Sequence, residues 1–137
     1  MSDFSEEKIE SIWQKGREVK GLDASKYRLD AAGALMARAK YGDKEHMYGW
    51  EVDHIYPKAR LEELGVNEDL WDHHLNLQPL NVKNNESKSD DYPEYTASCE
   101  YDDEKRMNCG VSKMVQVRKA LQTLLPVLFR LVKVQSK

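Results

Sequence analysis

Only two of the 137 residues are cysteine, Cys99 and Cys109, which excludes a disulfide-rich scaffold. They stand ten positions apart with no second pair, far from the paired CxxC spacing of a zinc site. Two structural or surface thiols are expected, with a single bridge between them left open. Long apolar runs are also missing. The longest uncharged apolar stretch, Ala120 to Phe129, has ten residues and includes Gln122, Thr123 and Pro126, against the roughly 18–20 that a membrane helix needs. No charged-then-apolar leader opens the chain. A soluble, cytoplasmic protein is expected. Repeats and low-complexity tracts are absent, and 33% charged with 40% hydrophobic residues argues against a mostly disordered chain. The length predicts one domain over residues 1–137.

Acidic residues are missing from one end. Residues 105–137 hold eight Lys or Arg and no Asp or Glu, whereas residues 1–104 carry a balance of −11 within an overall net charge of −3. The basic end could meet a polyanion, the protein's own acidic part, or only water. Overall acidity does not favour nucleic acid, so such a function must be argued from a site.

A helix is predicted over Asp3 to Lys20, with Asp3 as cap, Glu6 in capping-box position, and Ile9, Ile12, Trp13 and Val19 near one face. Residues 30–40 are Ala-rich and read as helical against Gly33. The run from Gly49 to Pro57 alternates bulky and polar side chains, predicting a strand that ends before Pro57. Ala59 to Leu64 reads as a short helix, Leu75 to Leu80 as an edge strand because of Pro79, and 82–88 as a short helix. From Asp90 to Asn108 a polar, irregular surface loop is expected. Ser112 then caps a helix of roughly Lys113 to Leu125, which Pro126 kinks or divides. Trp13, Trp50 and Trp71 read as core aromatics, and His46 as solvent-facing.

The middle segment carries the chemistry. Asp53 and His54 adjoin at a strand end, offering a hard oxygen ligand suited to Mg²⁺ beside an imidazole that accepts a proton near neutral pH. Asn76 follows at the next strand, where its amide can hold a loop. Asn84 and Asn85 lie on the polar helix and can supply a neutral oxygen ligand, with Lys83 and Lys88 flanking them. A hard metal, a base and nearby cations are what phosphodiester hydrolysis requires. His73 and His74 are adjacent, so they cannot easily share one ion.

Three runs in this order, Trp50-Glu51-Val52-Asp53-His54-Ile55-Tyr56-Pro57, Asn76-Leu77-Gln78-Pro79-Leu80 and Lys83 to Asp90, resemble the HNH endonuclease motif. The resemblance covers residues 49–91, and more loosely Tyr27 to Asp30 and Tyr41-Gly42. It implies a ββα-metal unit over about 49–91; with the N-terminal helices and the C-terminal helical segment over about 111–135 read on either side, the expected fold is α+β, mainly α. The resemblance also implies roles. His54 would be the general base, Asp53 and Asn85 the protein ligands of one Mg²⁺ (or Mn²⁺), and Asn76 the residue that holds the loop and orients His54. Lys88 would be a cation near the phosphate. Asn84 competes with Asn85, and the spacing from Asn76 favours Asn85. The third signature position is Asn rather than the frequent His, which biases against Zn²⁺, and the two CxxC pairs of many members are absent.

The expected function is therefore Mg²⁺-dependent hydrolysis of DNA, with RNA left open. Arg28, Arg38, Lys58, Arg60 and Lys83 are candidate phosphate contacts. The alternatives are an inactive nucleic-acid-binding or adaptor module of the same fold, and a toxin or defence nuclease. A homodimer through residues 111–135, or a partner protein, could supply specificity.

Overall fold

The computed structural model describes residues 4–131. Helix α1 (Glu6–Trp13) starts at Ser5, whose side chain accepts from the Lys8 N–H, and buries Ile9, Ile12 and Trp13. The expected cap Asp3 lies outside the described residues, and the helix ends well before Lys20. The Arg28 guanidinium stops it by taking the carbonyls of Gln14 and Gly16 at 3.3 and 2.8 Å, a cation on the orphan acceptors of a helix end. Gly16 permits this approach, since a Cβ there would stand 2.9 Å from Arg28 Cβ.

Strands β1 (Tyr27–Leu29) and β2 (Leu35–Ala37) form an antiparallel hairpin where a helix over 30–40 was expected. The local chemistry of Asp30 overrides the alanine content. Its Oδ1 accepts from the N–H groups of Ala32 and Ala34 at 2.9 and 2.8 Å, and Gly33 takes φ +93°. A single 3₁₀ turn, Arg38–Lys40, follows.

Strand β3 (Trp50–His54) ends before Pro57, and α2 (Lys58–Glu63) follows. After two 3₁₀ turns come β4 (Leu77–Asn81) and α3 (Val82–Lys88). β3 and β4 pair antiparallel, with Asp53 opposite Gln78 and His54 opposite Leu77. Each strand has only one neighbour, so Pro79 costs no second ladder. Asn81 caps α3 by accepting from the Lys83 N–H.

The mainly α expectation is overturned in the last third. β5 (Glu94–Asp102) and β6 (Met107–Gln116) form a long antiparallel hairpin, so the described residues hold four α-helices and six strands in three two-stranded sheets. The segment read as a loop to Asn108 alternates with period two, burying Tyr95, Ala97 and Cys99 between half-exposed Thr96, Ser98 and Glu100. Ser112 lies within β6 rather than at a helix cap, and α4 (Lys119–Leu128) runs through Pro126 undivided. Cys99 pairs with Gly110 and Glu100 with Cys109, so the two cysteines project to opposite faces of the hairpin and remain free thiols.

Two apolar clusters flank the β3–β4 hairpin. One joins Ile9, Trp13, Met36 and Trp50; the other joins Ile55, Leu61, Val66, Tyr95, Val117, Leu125 and Phe129. The C-terminal segment thus packs on the domain through Val117, Leu125 and Phe129, while residues 132–135 of the region considered for dimerisation lie outside the described residues. Trp71 is half-buried and donates its indole N–H to the Val66 carbonyl. No helix among the described residues is long and apolar enough to cross a membrane.

Candidate functional site

A polar network buried between the sheets fixes the position of α3. Asp30 accepts four hydrogen bonds, from the N–H groups of Ala32, Ala34 and Asn81 and from Asn84 Nδ2. Asn84 is fully buried: its Oδ1 accepts from the N–H groups of Ser98 and Cys99, and its Nδ2 also donates to the Cys99 carbonyl. Asn81 and Asn108 both donate to the carbonyls of Leu35 and Met47. Asn84 is therefore used up in locking α3 to β5 and to Asp30. Asn85, one residue on, faces a cleft of about 480 Å³ shared with Glu51, Asp53, His54 and Lys58. Of the two asparagines, only Asn85 lines this cleft, Asn84 being fully buried.

Within the cleft, Asn85 Nδ2 donates to Glu51 Oε1 at 3.1 Å, which leaves its amide oxygen for a ligand. Asp53 is only 6% exposed. Its Oδ2 accepts from Gln78 Nε2 at 2.8 Å and lies 3.4 Å from Lys88 Nζ, leaving Oδ1. Burial pushes the Asp53 carboxyl up from its ordinary range, while the Lys88 ammonium and the Gln78 amide hold it down. Lys88 is fully buried, donates to the His54 carbonyl at 3.1 Å and stacks its ammonium over the Tyr95 ring. It lies behind the carboxylate rather than at the cleft surface.

His54 Nε2 stands 2.6 Å from Asp72 Oδ1. An ionised carboxylate can only accept, so Nε2 carries the proton and the neutral ring keeps its lone pair on Nδ1. Burial pulls the His54 pKa below its ordinary value and the Asp72 carboxylate partly restores it, which favours the neutral base near pH 7. Asn76 holds the pair in register. Its Oδ1 accepts from the Tyr56 N–H at 2.8 Å, and its Nδ2 donates to the carbonyls of Tyr56 and Trp71, the residue before Asp72.

Asp72 and Glu51 escaped the sequence reading. Asp72 stands beside the His73-His74 pair and belongs to no motif, and only the folded loop brings it to His54. Glu51 could have been found from period two, since it shares a strand face with Asp53. His73 Nδ1 accepts from the Leu75 N–H, and His46, half-buried rather than fully solvent-facing, accepts from the Tyr48 N–H.

Two candidate phosphate contacts, Arg28 and Arg38, are engaged within the fold. Arg28 is buried and its guanidinium is spent on the carbonyls of Ala24, Gln14 and Gly16 and on the Gln14 side chain. Arg38 is held by Glu10 and Glu6 and lies over the Trp50 ring. Lys58 lines the cleft, Arg60 on the same helix donates to the Asp90 carbonyl at the cleft edge, and Lys83 is exposed on α3. Lys44 also lines the cleft, 3.7 Å from Glu51.

Asp53 Oδ1 and Asn85 Oδ1 are hard donors that fit Mg²⁺, which binds through one or two protein groups and keeps several waters. Among the described residues, no cluster of three or more His, Cys, Asp or Glu side chains is set to hold a metal, so a complete protein cage is not formed here. Neither a protein-family model, nor a curated protein, nor a solved structure matches the chain.

Proposed function

We propose that the protein is a metal-dependent endonuclease that hydrolyses DNA phosphodiester bonds at the cleft between β3 and α3. One observation carries this reading: a single cleft gathers the neutral His54 base, fixed by Asp72, with two hard oxygen donors on Asp53 and Asn85. His54 Nδ1 takes the proton of the attacking water, and Asp72 stabilises the imidazolium that forms. Asp53 and Asn85 would hold Mg²⁺ or Mn²⁺. When bound, the metal supplies Lewis-acid stabilisation at the phosphate and the leaving oxygen. Lys58 and Arg60 supply cationic charge for the backbone of the nucleic acid.

A second reading, a nucleic-acid-binding or adaptor module without catalysis, draws support from Lys88. Asp53 already has a buried counter-ion, which a purely structural carboxylate would need. Cleavage of supercoiled plasmid separates the two, run with Mg²⁺, with EDTA and with His54→Ala. The nuclease reading expects Mg²⁺-dependent nicking that the variant loses. A folded wild type inert in both Mg²⁺ and Mn²⁺ would leave the binding module.

A further inference from the structure

A second cleft, of about 610 Å³, opens between the C-terminal end of α1, β4 and the start of α4; its lining is distinct from that of the first cleft, although Gln78 in its wall donates to Asp53. Three cations line it, Lys15, Arg17 and Arg118. Among the described residues, no carboxylate lies within ion-pair distance of any of the three. Asp30, the only acidic residue in the cleft wall, has both oxygens engaged by its four donors. In a chain of net charge −3, three cations gathered without a paired acid need an explanation.

Lys15 is the most constrained of them. Its ammonium donates to the backbone carbonyls of His74 and Leu77, the latter at 2.6 Å, so two of its three hydrogens are fixed and the third remains for a ligand. Partial desolvation against the cleft wall, together with the charges of Lys8 and Arg118, pulls its pKa down to about 8. An anion seated in the cleft would relieve that repulsion. Leu29, Ile55 and Leu121 give the wall an apolar part, beside the polar His74, Gln78 and Gln116. The volume falls within the roughly 300–1,000 Å³ of small-molecule sites and far exceeds what an inorganic anion fills.

We propose that this cleft binds a nucleotide-sized organic phosphate, with the phosphate held by Lys15, Arg17 and Arg118 and its less polar body against Leu29, Ile55 and Leu121. Charge complementarity selects the phosphate, and the apolar wall selects a ligand with a body. The site is independent of the nuclease reading and stands whether or not the first cleft is catalytic.

The test is a titration of the full chain with adenosine 5′-monophosphate, adenosine and inorganic phosphate, followed by calorimetry and by amide chemical shifts. Arg17 and Arg118 are exposed, so an R17Q/R118Q double variant keeps the fold. The expected result is saturable binding of the monophosphate, tighter than either fragment, with shifts at Leu29, Ile55 and Leu121. Affinity should fall about tenfold or more in the double variant. Competition by a short single strand would assign the bound unit to a nucleic acid, and no competition would assign it to a free nucleotide; both uphold the site. Absence of saturation into the millimolar range, undiminished binding in the double variant, or shifts confined to Glu51–His54 would overturn it.

Discussion

His54 Nε2 and Asp72 Oδ1 meet at 2.6 Å across eighteen residues of chain; the contact sets the tautomer of the imidazole and offsets part of the loss of basicity that burial causes. Asp72 is half-exposed while the His54 ring is nearly covered, so the carboxylate reaches in from the solvent side to hold a largely buried ring.

If His54 is the base of a nuclease, Asp72→Asn lowers nicking by on the order of 10–100-fold, less than the ~10²–10⁴ available to general-base catalysis, because the base itself remains. Asp72 raises the His54 pKa, so its loss moves the imidazole titration and the acid limb of the rate to lower pH. Nuclear magnetic resonance titration of the His54 ring reads this shift without any cleavage. An unmoved titration would remove Asp72 from the positioning role.

The same imidazole makes stability depend on pH. Burial holds the folded His54 pKa below the ordinary value near 6.5. Its neutral form is therefore favoured by folding, and that contribution is complete above pH 6.5 and lost as pH falls through the folded pKa. Urea denaturation at pH 5 and pH 7.5 should give a steeper loss for wild type than for His54→Gln. Equal slopes would mean that the ring is not desolvated.

Neighbouring asparagines on α3 should behave oppositely. Asn84→Ala strands donors and acceptors inside the network that joins α3 to β5 and costs about 2–4 kcal/mol in denaturant unfolding. Asn85→Ala changes stability by less than about 1 kcal/mol but weakens Mn²⁺ binding, read by electron paramagnetic resonance. Glu51→Leu, which frees the Asn85 amide, weakens it by roughly 10–100-fold, whereas Glu51→Gln keeps an acceptor for that amide and stays near wild type. Equal Mn²⁺ affinity in all four proteins would exclude Asn85 as a ligand.

Lys88→Met leaves the Asp53 carboxylate buried without its counter-ion and should cost about 3–5 kcal/mol. Lys88→Met with Asp53→Asn should recover most of that loss, because the second change removes the stranded charge. A double variant as unstable as the single one would show that Lys88 acts through packing on Tyr95 instead.

Much of the candidate site was legible because it is built from local sequence. Period two along Trp50 to His54, the stop at Pro57 and the polar run 82–88 each set one element within a few residues, and Asp53, His54 and Asn85 then follow from position along those elements. Segments where two periodicities compete were not legible. Residues 111–116 satisfy both an apolar stripe of a helix and the alternation of β6, and only pairing with β5 decides for the strand. Residues 30–40 are rich in alanine, yet the Asp30 carboxylate takes two donors from its own turn and two from the distant Asn81 and Asn84, and the distant pair is invisible to local propensity. The sequence by itself therefore determined which short elements carry the Asp53-His54 pair and the asparagines. Tertiary structure decided which Asn faces the cleft, that Asp72 completes the His54 pair, that Arg28 and Lys88 serve the fold's interior, and that Arg38 pairs with Glu6 and Glu10. The physical reason is that burial and long-range hydrogen bonding, not residue type, determine whether a polar side chain is spent on the fold or left available to a ligand.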